Sequence, residues 1–213
     1  MSIAAILLAA GRATRFSGGH KLLADLGGEP VVARARRALR HRAIDPVIAV
    51  LGAEASSVRA ALDGVAGARR TRFVVNARHA DGMGRSIAIG IGALPEGTGA
   101  ALLALGDMPL VTAREVAALI AAHDADDPHA VTRGAVPLPD REGGDDRRPG
   151  HPIIFGAGWF GALRDLGGDR GAADLLKGRR VRLVPLPPDS QRDVDTREAL
   201  EEARAVLASG TTS

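Results

Sequence analysis

The sequence predicts an α/β protein with a mainly parallel sheet covered by helices on both faces. Apolar runs recur at 3–9, 46–51, 72–75, 100–105, 130–133, 152–155 and 181–186. Stretches with helical patterning separate most of them, at 30–41, 54–62, 84–93, 112–122, 157–164, 170–177 and 196–208. Runs such as Ile3-Ala4-Ala5-Ile6-Leu7-Leu8-Ala9-Ala10 are continuously apolar rather than alternating, the pattern of strands buried on two faces. Strands that alternate with helices read as βαβ units. The 213 residues suffice for one sizeable core. One domain over 1–208 is expected, followed by a disordered tail at 209–213.

The first strand ends in Gly11, and residues 12–21 read Arg-Ala-Thr-Arg-Phe-Ser-Gly-Gly-His-Lys. Small residues leave backbone N–H groups uncovered, and Arg12, Arg15 and Lys21 surround them. Such a loop suits a polyphosphate, because amides supply geometry and cations supply charge. Lys21 is one of two lysines among 28 basic residues, a compact point charge where arginine is the rule. The loop matches neither a P-loop, since no hydroxyl follows Lys21, nor G-x-G-x-x-G, since Ala13 stands at the second glycine. An ordinary strand-to-helix connection is the competing reading.

Further along, Thr112 and Glu115 form a capping-box pair at a helix start, and Thr196 is placed as an N-cap for the last helix. The strand 100–105 is followed by Gly106 and Asp107, which puts a carboxylate at a carboxyl strand end. Ligand crevices of open α/β sheets lie at that edge. A carboxylate there can hold Mg²⁺, which uses few protein oxygens and keeps the rest for water and phosphate. Asp193 and Asp195 share one side of an extended segment and suit a cation or, alternatively, the start of a helix. Ser86 lies at a helix start beside Gly82 and Met83, and Gly168-Asp169-Arg170-Gly171 precedes another helix whose N–H groups could meet an anion. The stretch 137–149 is polar, rich in Gly and Pro and aperiodic, and is expected to be a mobile loop, either a lid or an inert insertion.

Composition narrows the classes. Zero cysteine excludes disulfides and thiolate chemistry, and a reducing cytoplasm is expected. The opening run is too short for a membrane span and has neither the basic leader nor the cleavage pattern of a signal peptide. The isoelectric point near 10.4 reflects arginine rather than a strong field, since the net charge is +3. With four Phe, one Trp and no Tyr, stacking platforms for nucleic acid are scarce, and an anionic small molecule fits better.

The motifs Leu8-Ala9-Ala10-Gly11, Arg15-Phe16, Lys21-Leu22-Leu23, Asn76, Gly82-Met83-x-x-Ser86 and Gly106-Asp107-Met108-Pro109 come in a telling order. Gly150-His151-Pro152, Gly168-Asp169-x-Gly171-Ala172 and Asp193-Val194-Asp195-Thr196 follow them. In this set the chain resembles the MobA-like nucleotidyltransferases over residues 3–205, and is most similar to the molybdenum cofactor cytidylyltransferases. The resemblance implies a three-layer α/β/α, Rossmann-like nucleotide-diphospho-sugar transferase fold with one antiparallel strand. It also implies transfer of CMP from CTP to the phosphate of molybdopterin, with Mg²⁺ as cofactor and a molybdoenzyme as a further partner.

By the same resemblance, Lys21, Asp107 and Arg15 are catalytic, and Asp107, Asp195 and Asp193 are metal ligands. Leu8, Ala9, Ala10, Gly11, Lys21, Asn76, Gly82, Met83 and Ser86 would hold the nucleotide. Gly150, His151, Pro152, Asp169 and Gly171 would meet the acceptor. The chain departs from many relatives at Ala173, where they carry arginine, and at His79-Ala80-Asp81, where they often place an aromatic residue. The choice of CTP rests on Ala10, where guanylyltransferase relatives carry glycine. A guanylyltransferase, a sugar-phosphate nucleotidyltransferase and a non-catalytic cofactor-binding chaperone are the alternatives.

Overall fold

The computed structural model describes residues 2–11, 16–17, 19–65, 71–137, 147–168 and 170–210. Seven strands form one sheet: β1 (Ile3–Ala9), β2 (Ile44–Leu51), β3 (Thr71–Val75), β4 (Ala100–Leu105), β5 (Val131–Pro137), β6 (Arg147–Gly156) and β7 (Arg182–Pro185). Their order is β3-β2-β1-β4-β6-β5-β7. β6 runs antiparallel to both of its neighbours, and every other pairing is parallel. The helices are α1 (Val31–Ala38), α2 (Ala55–Asp63), α3 (Met83–Gly92), α4 (Ala113–Ala122), α5 (Phe160–Arg164) and α6 (Arg197–Ala208).

Alternation along β1 divides the core. Ile3, Ala5 and Leu7 join a cluster with Val32 of α1, Val58 of α2, Leu119 of α4 and Leu200 of α6. Ile6 joins a second cluster with Ile87 and Ile91 of α3 and Leu163 of α5. The sheet is thus sandwiched between α1, α2, α4 and α6 on one face and α3 and α5 on the other. Ile6, Leu7, Ile48 and Leu102 expose nothing, and each such side chain contributes about 1.5–3 kcal/mol by its burial. The caps form as the sequence indicates. Thr112 Oγ1 accepts from the Glu115 N–H at 3.3 Å while Glu115 Oε2 accepts from the Thr112 N–H at 2.8 Å. Thr196 Oγ1 accepts from the Ala199 N–H at 3.2 Å.

Differences from expectation lie on the second half of the chain. Pro137 and Arg147–Pro149 belong to β5 and β6 rather than to a loop, with Pro137 opposite Arg147. Backbone pairing carries the hairpin beyond its apolar centre, which side-chain patterning does not register. The remaining loop residues, 138–146, lie outside the described residues. The expected helix at 170–177 is a 3₁₀ turn, Ala172–Leu176, and 157–164 splits into a 3₁₀ turn followed by α5. Ser209 and Gly210, expected in a disordered tail, still bond back to α6, the Ser209 Oγ donating to Val206 O at 2.8 Å; 211–213 lie outside the described residues. Among the described residues no helix is long and apolar enough to cross a membrane.

Glycine lets α3 approach the sheet. A Cβ at Gly90 would lie 2.5 Å from Ile6 Cγ2 and 3.1 Å from Val50 Cγ2, both β-branched groups inside the second cluster. Gly90→Val is therefore expected to remove about 1–3 kcal/mol of stability, the range for an overpacked core. A lowered urea midpoint with an unchanged denaturant slope would be the reading.

Candidate functional site

The carboxyl ends of β1, β2 and β4 meet around the segment that leaves β1. Ala9 and Ala10 are buried, Leu8 is partly buried and Gly11 is exposed. A Cβ at Gly52, just after β2, would lie 2.4 Å from Ala10 O, and one at Gly106 would lie 3.0 Å from Leu8 O. The Gly106 N–H donates to Leu8 O at 2.9 Å. Two glycines on flanking strands thus admit the end of β1 between them. Gly106 was legible as part of a motif; Gly52 was not, although a glycine closing a buried strand is a sign of close backbone approach.

Lys21 opens a 3₁₀ turn, Lys21–Leu23, anchored in the core by Leu22. Its ammonium Nζ lies 2.5 Å from Asp107 Oδ2 and 2.5 Å from Asp195 Oδ1. Asp107 follows β4, and its carbonyl accepts from the Val194 N–H at 2.8 Å, which ties the late segment to the strand end. Val194 is buried and Asp193 exposed; the ion pairs of Lys21 go to Asp107 and Asp195, not to Asp193. Burial lowers the Lys21 pKa, but the two carboxylates outweigh it and hold the ammonium above its ordinary value. The lysine side chain is 9% exposed and the carboxylates about one-fifth, so solvent screens the cluster weakly. Two hard oxygen donors already gathered on one cation fit a divalent ion of the Mg²⁺ kind, which is content with few protein carboxylates. Among the described residues no group of three or more His, Cys, Asp and Glu stands ready as a complete metal cage. Arg15 lies outside the described residues.

At the end of β3, Asn76 and Ser86 meet. Asn76 is fully buried, its Nδ2 donates to Ser86 Oγ at 3.0 Å, and its Oδ1 accepts from the Arg78 N–H at 3.0 Å. Both side chains therefore brace the turn between β3 and α3, while Met83 at the start of α3 is 46% exposed. Gly84, one of the unnamed positions between Met83 and Ser86, is a contact that sequence reasoning missed. Its N–H donates to Gly168 O at 3.1 Å, and a Cβ there would lie 2.6 Å from Arg170 O. Gly84 thus packs backbone to backbone against Gly168 and Arg170. Asp169 lies outside the described residues. The Gly171 N–H, expected to face an anion, instead donates to Asp174 Oδ2 at 3.0 Å within its own 3₁₀ turn.

The third motif lies on β6. Because β6 is antiparallel, its first residues stand at the carboxyl edge of its parallel neighbours. Gln191 grips His151 at both backbone groups, Oε1 accepting from its N–H at 2.8 Å and Nε2 donating to its carbonyl at 2.6 Å. A Cβ at Gly150 would overlap Gln191 Oε1, so glycine there is a condition of the grip. Arg133 Nε on β5 donates to Gly150 O at 2.7 Å. Pro152 is buried, and His151 Nδ1 is inaccessible and without a hydrogen-bond partner. Burial, and then the neighbouring Arg133 charge, depress the His151 pKa to about 4. The imidazole is accordingly neutral at physiological pH. Neither Gln191 nor Arg133 was singled out from sequence, since nothing local marks them.

A cleft of about 910 Å³ lies at the other edge of the sheet, where Val131 and Arg182 begin β5 and β7. It shares no residue with the Lys21 cluster.

A family model for the MobA-like NTP transferase domain matches residues 5–184. Among curated proteins, the bifunctional protein GlmU of Kineococcus radiotolerans is 38% identical over 124 residues, 57% of this chain and 25% of its own length. The GlmU of Micrococcus luteus is 35% identical over 146 residues, 66% of this chain and 29% of its own length. The chain spans about a quarter of the length of the curated relatives it matches. Among solved structures, Rv0371c from Mycobacterium tuberculosis H37Rv superimposes with a TM-score of 0.77 at 27% identity, over 96% of this chain and 98% of that one. A nucleotidyl transferase from Methanothermobacter thermautotroptrophicus gives a TM-score of 0.80 at 24% identity, over 98% and 99%.

The His151 shift has a sign that can be checked. Its pKa falls from 6.5 to about 4 on folding, so between those values the unfolded chain binds more protons and stability drops as pH drops. Moving from about pH 7.5 to about pH 5 is expected to remove roughly 2 kcal/mol through this residue. Urea denaturation at both pH values should show that increment in the natural protein and not in His151→Gln; equal pH dependence in the two would refute it.

Proposed function

The chain belongs to the MobA-like NTP transferase family, and from that premise we propose that it transfers a nucleotidyl group from a nucleoside triphosphate to a phosphate-bearing acceptor, releasing pyrophosphate. The observation that carries this reading is Lys21 held between Asp107 and Asp195 at the carboxyl edge of the sheet. Asp107 and Asp195 are the residues that would hold a divalent cation, whose chemistry when bound is to orient the α-phosphate and offset its developing charge. Lys21 is then free to neutralise the triphosphate and the leaving pyrophosphate, with Arg15 assisting from the opening loop. Gly11 offers backbone next to the phosphates, while Leu8, Ala9 and Ala10 shape the seam beside the base. Gly82 and Met83 line the base and ribose side, and Asn76 and Ser86 keep that turn in shape by their mutual bond. An acceptor phosphate is already ionised at neutral pH, so no protein base need remove a proton for its oxygen to attack the α-phosphorus in line.

Gly150, His151 and Pro152 present the acceptor side, and the motif set assigns Asp169 and Gly171 to the same substrate. CTP is the donor that Ala10 favours, and a molybdopterin-type phosphate is the acceptor that the motif set favours. A sugar 1-phosphate is the second reading of the acceptor, supported by the matches to GlmU over the chain's own span.

Pyrophosphate release with CTP, GTP, ATP and UTP, each offered with molybdenum-loaded molybdopterin or with sugar 1-phosphates, decides among these. Release with CTP and molybdopterin alone supports the reading in full. Release with a sugar 1-phosphate keeps the reaction and replaces the acceptor, and silence with every pair overturns the reaction. Whichever pair is active, Lys21→Ala is expected to lower kcat by about 10²–10³-fold, the range for losing one preorganised electrostatic group. Asp107→Asn and chelation by EDTA should each abolish turnover while the circular dichroism spectrum stays native. Near-normal activity of Asp107→Asn would refute the assignment of that carboxylate.

A further inference from the structure

Arg133 is a half-buried cation with an unspent end. Its Nε is engaged by Gly150 O at 2.7 Å, while among the described residues no carboxylate pairs with its guanidinium. Arg34, also half-buried, shows the usual arrangement, with Glu29 at 3.1 Å. Burial pushes the Arg133 pKa down, and no neighbouring acid pushes it back. A desolvated, unpaired charge weakens a fold unless something else needs it. The guanidinium fork matches an oxyanion, and its planar N–H edge is suited to phosphate.

What surrounds Arg133 is built rather than loose. Its hydrogen-bond acceptor belongs to the Gly150–His151 segment, which Gln191 clamps from the other side through two bonds to His151. The same late segment continues to Val194, bonded to the Asp107 carbonyl, and to Asp195, bonded to Lys21. One stretch of chain, 191–195, therefore sets the Arg133 neighbourhood in fixed relation to the Lys21 cluster. The neutral His151 beside it adds no competing charge.

We propose that Arg133, positioned by Gly150 and through it by Gln191, forms an anion subsite that takes a phosphate monoester group. Its assignment to the second substrate rests on the nucleotidyl-transfer reading above; the binding of an anion does not. Arg133 would touch the ligand, whereas Gln191 acts through the backbone it holds and is a positioning residue.

The probe is inorganic phosphate, and the readout is the melting temperature of the full chain with and without it, for the natural protein, Arg133→Gln and Arg133→Lys. Arg133→Gln removes the unpaired charge and is expected to melt no lower than the natural protein in phosphate-free buffer. Phosphate binding through this residue should weaken by about 10–100-fold in Arg133→Gln, the loss expected for charge-assisted hydrogen bonds, so its phosphate-induced rise in melting temperature shrinks. Arg133→Lys should recover part of that rise. An equal rise in the natural protein and Arg133→Gln, or no rise in either, overturns the subsite. Once an active substrate pair is known, Arg133→Gln should raise KM for the acceptor at least tenfold and leave KM for the nucleotide unchanged. A protein that loses the phosphate response in Arg133→Gln but releases no pyrophosphate with any pair keeps the subsite and loses the reaction. Turnover with an unchanged phosphate response does the reverse.

Discussion

The ion pairs of Lys21 with Asp107 and Asp195 are the constraint on which the rest of the site depends. Their partners lie 86 and 174 residues away along the chain. A loop after β1, the end of β4 and the approach to α6 are therefore all held to one nitrogen atom. Removing the cation would leave two carboxylates facing each other with little solvent to screen them. The cost of stripping one partner from a buried pair is about 3–5 kcal/mol at full burial, and less here because both acids retain some exposure. The same arrangement that makes the cluster costly to disrupt makes it receptive to a different cation.

Around that point the backbone must come unusually close together. Gly52 and Gly106 admit the end of β1 between its neighbours, and Gly84 lets the first turn of α3 rest on the backbone of Gly167 and Arg170. Side chains that look functional in sequence are in part the scaffold for this. Asn76 and Ser86 bond to each other in the interior, and Gln191 holds His151 by its main chain. Close backbone approaches braced by buried polar groups surround the strand ends, an arrangement suited to a ligand rich in phosphate oxygens.

The antiparallel course of β6 has a consequence that the strand count alone would not show. In a wholly parallel sheet the residues at 147–151 would begin their strand at the amino edge, away from the crevice. Reversed, they stand at the carboxyl edge, and β5 beside them brings Arg133 to Gly150. The meeting of Arg133, Gly150 and His151 at this edge is thus created by one strand direction. The segment 191–195 then ties it to the Lys21 cluster, so the two halves of the crevice are not independent.

The sequence carried the layered α/β architecture in plain view, because continuous apolar runs and amphipathic intervals report burial directly. It also determined the caps at Thr112 and Thr196, whose chemistry is local, and it pointed to Lys21, Asp107 and Asp195 as residues of unusual placement. It ranked Asp195 only narrowly ahead of Asp193, and the fold separates them, with Asp195 paired to the lysine and Asp193 exposed. It read 137–149 as loop because hairpin pairing at the ends of β5 and β6 is made by backbone, which carries no side-chain signature. It was silent on Gly52, Gly84, Arg133 and Gln191. Each acts on a residue distant in the chain, at 42, 86, 17 and 40 positions in turn. Local patterning records what a residue is and which face it shares; what it touches across the sheet exists only once the chain has folded.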